Sequence, residues 1–223
     1  MEDAVQEAVC KAGLSLVELP QGLTLEGDGM QLRVDFSTMA RRVSSHAVRG
    51  EQLVRVAKVK GVEHPLAVDA TAGLGEDSLL LAAAGFTVEL YERDPVIAAL
   101  LEDGLRRAYE DAALSDAASR MHLHKEDSIK ALSSLNFQPD VVVLDPMFPA
   151  RTKSAKVKKK FQLLHHLEQP CTDERALLDA AIAAHPRKVV IKRPAKGPYL
   201  AGAKPAYSLE GKSVRYDCLV FAR

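Results

Sequence analysis

Residues 66–85 read "LAVDATAGLGEDSLLLAAAG", and their reading decides the fold. Leu66, Ala67 and Val68 are apolar without alternation, as in a strand buried on both faces. Gly73 and Gly75 then mark a tight turn, and "EDSLLLAAAG" reads as a helix closed by Gly85. Strand, glycine turn and helix open a parallel α/β unit. The pattern continues downstream with a strand in "FTVELYERD" and a helix in "PVIAALLEDGLRRAYED", where Pro95 sits in a tolerant first turn. "RMHLHKED", "PDVVVLDPMF" and "RKVVIKRP" supply further strands; "SIKALSSL" and "ERALLDAAIAA" supply helices. "AYSLEG" and "SVRYDCLVFAR" read as a terminal hairpin. The expectation is a mostly parallel seven-stranded sheet, covered on both faces, with a C-terminal antiparallel hairpin.

Upstream the pattern differs. Residues 3–12 read as a short helix. "LSLVEL", "GLTLEG" and "MQLRVDFS" alternate around turn residues, as in a small antiparallel meander, and "SSHAVRGEQLVRVAKVKG" reads as a helix. Residues 1–60 are thus expected to form a small α+β appendage and residues 61–223 the main domain.

Composition narrows the classes. The 223 residues are 47% hydrophobic and 27% charged, enough for a substantial core. Lys+Arg and Asp+Glu are 30 each, so net charge selects no partner. Cys10, Cys171 and Cys218 lie far apart, without metal-ligand spacing, as idle thiols in a reducing compartment would. No apolar run reaches membrane-span length, and the acidic start "MEDAVQEAVC" lacks a signal peptide's basic residues. A cytoplasmic protein, monomeric and off the membrane, is expected.

In a parallel sheet, ligands bind beyond the carboxyl ends of the strands. Asp69 ends the first of these strands. Gly73 and Gly75 let the backbone approach a ligand, and Glu76 and Asp77 open the next helix. The third glycine of a dinucleotide fingerprint is missing, and an acidic first turn repels a pyrophosphate. A cationic or zwitterionic adenosine ligand suits this turn better. The second strand ends in "YERD", where Glu92, beside Arg93, offers two carboxylate oxygens to a ribose diol. The third ends in "KEDS", where Asp127 can accept from an adenine amino group with Ser128 beside it. Asp127 is equally suited to cap the following helix. These acids, in order after successive strands, indicate a class I S-adenosylmethionine (SAM) methyltransferase with a Rossmann-like fold. No metal is expected.

The fourth strand delivers Asp145, Pro146, Met147 and Phe148. This resembles the [N/D]-P-P-[Y/F] motif of methyltransferases acting on exocyclic amines, with Met147 in place of the second proline. The nitrogen of such an amine has its lone pair delocalised into the ring. A carboxylate at Asp145 and a carbonyl constrained by Pro146 can accept its two N–H bonds and favour a pyramidal, nucleophilic nitrogen. Phe148 can stack on the base.

Taken together, "VDATAGLGEDS", "ERDPVIAALLEDGLRRA", "LDPMFPARTKSAKVKKK" and "VVIKRP" resemble the bacterial ribosomal RNA small-subunit methyltransferase J family over most of residues 35–223. The resemblance implies a SAM-dependent guanine-N2 methyltransferase acting near the 3′ end of 16S rRNA, with S-adenosylhomocysteine as the other product. It implies cofactor contacts at Glu76-Asp77, Glu92-Arg93, Asp127-Ser128 and Asp145. Glu76 and Asp127 depart from the family's usual residues.

Directly after the Asp145 turn, Arg151, Lys153, Lys156, Lys158, Lys159 and Lys160 form a tract with no acid, suited to RNA phosphates. Arg41, Arg42 and Arg49 suggest a second basic surface, and Lys192 and Arg193 fall at the same rim as the tract. His165 and His166 read as helix residues, not metal ligands. The competing readings are transfer to adenine N6 or a protein glutamine, and a non-catalytic RNA-binding assembly factor. A nicotinamide dehydrogenase is disfavoured by the broken glycine fingerprint.

Overall fold

Strands that are apolar on both faces must be covered on both faces. The computed structural model, which describes residues 2–146, 163 and 173–222, shows what covers them. The chain begins with helix α1 (Glu2–Lys11) and an antiparallel sheet of β1 (Ser15–Leu19), β2 (Gly22–Gly27) and β3 (Met30–Leu32). A 3₁₀ turn at Phe36–Met39 follows, capped by the Asp35 carboxylate, which accepts from Ser37 N–H at 3.2 Å. A second 3₁₀ turn at Val48–Gly50 leads to helix α2 (Gln52–Ala57). The continuous helix expected there is interrupted because Glu51 is extended, with φ −64° and ψ 131°.

The main sheet then forms from β4 (Leu66–Asp69), β5 (Thr87–Tyr91), β6 (Met121–His124), β7 (Val141–Leu144), β8 (Lys188–Pro194), β9 (Tyr207–Glu210) and β10 (Val214–Val220). Its spatial order is β6-β5-β4-β7-β8-β10-β9. The first five are parallel in that order, while β10 runs antiparallel between β8 and β9. The connecting helices are α3 (Glu76–Ala83), α4 (Pro95–Glu110), the short α5 (Ser115–Ala118), α6 (Ser128–Leu132) and α7 (Glu174–Ala183). The parallel sheet and the terminal hairpin are those expected from the strand pattern.

Alternate residues of the central strands enter two cores. Val141, Val143 and Val190 join the cluster that includes Leu79, Leu80, Ile97 and Leu101. Val142, Leu144, Val189 and Ile191 join Leu177, Leu178 and Ala181 of α7 on the other face. The chain order reverses between β4 and β7, which opens a crevice at their carboxyl ends.

The first core also takes in Leu25, Leu32, Val34 and Phe36 from the N-terminal segment. That segment is fastened to α4. Leu23 N–H donates to the Asp103 carboxylate at 3.0 Å, and Arg107 reaches both Asp103 and the Val34 carbonyl. Gly104 has no side chain because Val34 occupies its place. Phe36 extends the contact to Gly75, at the start of α3. Gly75 has φ +76°, and a β-carbon there would stand 2.6 Å from Leu101 Cδ1 and 3.1 Å from Phe36 Cζ. Both the left-handed backbone and the close packing therefore require glycine. Gly75→Ala is expected to cost roughly 2 kcal/mol of stability, read as a lowered denaturation midpoint.

Candidate active site

β4 delivers Asp69 to the floor of the crevice, only 2% exposed. Its oxygens accept from Thr71 N–H at 3.2 Å and from Ser78 Oγ at 2.6 Å, tying strand, turn and helix α3 together. Burial pushes the Asp69 carboxyl up to about 7, against the pull of the Ser78 hydroxyl; the Asp77 charge pushes the same way. The folded state therefore holds a proton on Asp69 between about pH 4 and 7 that the unfolded chain has already lost. By linkage, this group's contribution to stability is full below about pH 4 and is lost as pH rises through 7. Asp69→Asn, which imitates the protonated form, is expected to remove that pH dependence. Its melting temperature, compared with wild type at pH 5 and pH 8, should gain by a few degrees at the higher pH.

After the Gly73–Gly75 turn, Glu92 at the end of β5 receives Gly73 N–H at 2.9 Å on one oxygen and Asp94 N–H at 2.8 Å on the other. The residue is 9% exposed, and burial raises its pKa while these backbone donors oppose the shift. A carboxylate has about four lone-pair sites, so beyond these backbone donors Glu92 keeps room to accept from a ribose hydroxyl. Arg93 beside it is exposed.

Asp127 caps α6, its carboxylate accepting from Ile129 N–H at 3.0 Å. Its alternative reading as a helix cap is realised, which leaves its second oxygen for other donors. Ser128 is buried in the first turn of the same helix. Glu76 is exposed at the start of α3, and Asp77 is half-buried one residue on.

Across the crevice, β7 ends at Asp145, followed by buried Pro146. Asp145 N–H donates to Thr71 Oγ1 at 2.7 Å, which joins the β4 turn to the end of β7. The Asp145 carboxylate meets Lys192 Nζ at 2.9 Å, and the same Nζ meets Asp77 at 2.6 Å. One lysine thus links the first turn of α3 to the end of β7. Desolvation raises the Asp145 pKa, the Lys192 charge lowers it, and the Asp77 charge raises it. The two carboxylates together push Lys192 above its ordinary value despite burial, so it stays charged. The Asp145 side chain keeps 41% of its surface accessible, leaving room for a substrate donor.

These placements redraw the basic surfaces. Lys192 and Arg193 lie near the carboxyl end of β8 and are occupied by acids there. Lys192 binds the two acids, and Arg193, 1% exposed, pairs with Glu174 at 3.2 Å. Arg42 is half-exposed and makes a two-pronged contact with Glu51, at 2.9 Å on each oxygen. Met147, Phe148, Arg151, Lys153, Lys156, Lys158, Lys159, Lys160, His165, His166 and Cys171 lie outside the described residues. Thr71, Ser78 and the pairing of Lys192 were missed from sequence. The one available signal was a lysine near the end of a buried apolar strand, where a charge requires partners.

The crevice therefore holds a turn of open backbone, a carboxylate with acceptor capacity to spare, and a second carboxylate fixed opposite. That set fits an adenosine-bearing cation. No group of three or more His, Cys, Asp or Glu able to hold a metal occurs among the described residues.

Comparison with known proteins agrees with this chemistry. The family model for SAM-dependent methyltransferases matches residues 6–221. The ribosomal RNA small subunit methyltransferase J of Thioalkalivibrio sulfidiphilus is 43% identical over 216 residues, covering 90% of this chain and 85% of that protein. The protein of the same name from Pseudomonas aeruginosa is 46% identical over 189 residues, covering 83% and 72%. The crystal structure of a SAM-dependent methyltransferase from Neisseria gonorrhoeae superposes with a TM-score of 0.72 at 33% identity, covering 98% of this chain and 91% of that one.

Proposed function

The chain belongs to the ribosomal RNA small-subunit methyltransferase J family, and from that premise we propose that this SAM-dependent methyltransferase methylates the exocyclic N2 of a guanine near the 3′ end of 16S rRNA. The observation that carries the amine chemistry is Asp145. It stands at the carboxyl end of β7, held by Thr71 and Lys192, with its carboxylate partly accessible.

SAM, when bound, supplies a methyl group on a positively charged sulfur. The chain's own residues do the rest. Gly73 and Gly75 keep the turn open, and Glu92 takes the ribose hydroxyls. Asp77, the capping Asp127 and Ser128 line the other walls. The Asp145 carboxylate and the Pro146 carbonyl accept the amine's N–H bonds, which localises its lone pair. Because burial raises the Asp145 pKa, the carboxylate is also a better acceptor for the proton the amine sheds. Positioning and fixed charge supply the acceleration.

Guanine N2 is buried in the minor groove when paired, so the base must be met unpaired or flipped out, at a cost of a few kcal/mol. Phe148 is assigned to stacking on that base, and Arg151, Lys153, Lys156 and Lys158–Lys160 to the surrounding phosphates. Residues 1–60 form the appendage in this reading, with residues 61–223 as the catalytic domain. The substrate places the work in the cytoplasm, on 16S rRNA or the small subunit.

Mass-spectrometric mapping of small-subunit RNA from cells with and without the gene tests the substrate. One N2-methylguanine should vanish with the gene and return on complementation. A methyl lost instead from adenine N6 or a protein glutamine would overturn the guanine assignment.

A further inference from the structure

The loop that follows β8 is "AKGPYLAGAKP", residues 195–205, with two lysines, one tyrosine and no acid. It is braced by charged side chains, of which Arg193, Arg215 and Asp217 are almost fully buried and Glu174 is half-buried. Arg193 donates from Nε to the Pro198 carbonyl at 2.9 Å and from Nη1 to Glu174 at 3.2 Å. The other Glu174 oxygen receives Ala201 N–H at 3.2 Å. Arg215, 8% exposed, donates to the carbonyls of Ala195 and Gly197 at 3.1 and 3.2 Å. It is held in turn by two 2.8 Å bonds to Asp217, which is 2% exposed. Leu200, 1% exposed, pins the loop to the core beside α7.

Such bracing is an expensive way to hold a surface loop, because buried charges are stabilised less than well-packed apolar groups would be. Ala201 adds strain, with φ 47° and ψ 27° in the left-handed region that disfavours alanine. Strain and buried charge concentrated under one loop point to a function for its outer surface. That surface carries Lys196 and Lys204, both exposed, and Tyr199, 42% exposed with the Arg215 guanidinium 4.9 Å from its ring centroid. The loop starts three residues after Lys192, which touches Asp145, so it stands at the same carboxyl edge as the reacting site.

We propose that residues 195–205 are a rigid RNA-contacting platform. Tyr199 stacks on an unpaired base near the target, and Lys196 and Lys204 neutralise flanking phosphates. Base–aromatic stacking tolerates any base and gains from a neighbouring guanidinium. The absence of acids suits a polyanion, and bracing in advance reduces the ordering that binding would otherwise require. The inference rests on the RNA reading above and extends it to residues outside the Asp145 turn.

Four proteins test it: wild type, Lys196→Glu/Lys204→Glu, Tyr199→Ala, and Tyr199→Phe as the conservative control of the last. Binding to an RNA fragment from the 3′ region of 16S rRNA is read by fluorescence anisotropy across a salt series. SAM affinity is read by calorimetry, and kcat and KM with small subunits by radiolabel transfer. The double charge reversal should weaken RNA binding at least tenfold and flatten the slope of log K against log salt by about two. Tyr199→Ala should raise KM several-fold, with Tyr199→Phe restoring it, while SAM affinity and melting temperature stay at wild-type values. RNA affinity and salt slope unchanged in the double variant would overturn the platform while wild-type methylation of small subunits still stood. Parallel losses of SAM affinity and melting temperature would overturn it too, as the mark of a purely structural loop. Wild type that neither binds nor methylates the RNA would instead bring down the substrate reading itself.

Discussion

Asp145→Ala is expected to lower methyl transfer by about 10³-fold or more while SAM binding and the fold persist. In the proposed mechanism the carboxylate is the anionic acceptor at the end of β7, and a methyl side chain accepts nothing. The amine's lone pair then stays delocalised, and the proton it must shed has no fixed acceptor. The fold survives because Lys192 retains Asp77 as a partner at 2.6 Å and Thr71 still accepts from the backbone N–H of residue 145. Asp145→Asn should fall between, since its amide oxygen accepts one N–H but carries no charge. Single-turnover transfer of radiolabelled methyl to small subunits measures the rate, and calorimetry checks SAM affinity. A rate within tenfold of wild type in the alanine variant would remove Asp145 from the chemistry.

The second large effect concerns pH. Lys192→Met removes the only cation seen to contact both Asp77 and Asp145 among the described residues. Asp145 is then faced by the charge of Asp77 on α3, joined above about pH 7 by that of Asp69 on β4, with Arg193 on β8 a weaker pull and Tyr216 of β10 close to the same cluster. Desolvation already raises the Asp145 pKa, and without Lys192 its largest counterweight is gone. Activity that needs ionised Asp145 rises as pH passes through that pKa, so a higher pKa moves the acid limb of kcat toward higher pH. The variant should lose roughly 10- to 100-fold at pH 7 and recover part of it at pH 9. Lys192→Arg, which keeps the charge, should leave the limb near its wild-type position. A uniform loss at every pH would mean that Lys192 acts through structure alone.

How much of this could be read from the chain depends on the range of each interaction. β4 and β7 were legible because Val68 and Val141–Leu144 are apolar without alternation, a pattern only a doubly covered strand requires. The Gly75 turn and the acid after β5 were legible because a left-handed residue and a diol acceptor each leave a local signature. Asp127 allowed two readings, and the cap is the one the structure makes visible. The Lys192–Asp77 contact was not legible, since its residues lie 115 positions apart and meet only when β7 pairs with both β4 and β8. The Asp145–Thr71 bond, 74 positions apart, was hidden for the same reason. The long helix expected before residue 61 failed at Glu51, whose extended backbone pattern alone did not foretell.

The place of β10 bears on how the enzyme comes into being. The last strand of the sheet lies inside it, between β8 and β9, and its Asp217 anchors Arg215. A chain emerging from its N-terminus can pair β4, β5 and β6 early, but β8 has no neighbour on its outer side until residues 214–220 appear. The edge that presents Lys192 to Asp145 is therefore among the last to be completed during synthesis. Pairing of this kind, distant in sequence, is slow to form, and a half-made chain exposes β8 as an open edge. A chain cut before residue 214 is therefore expected to lose activity along with the support of β8.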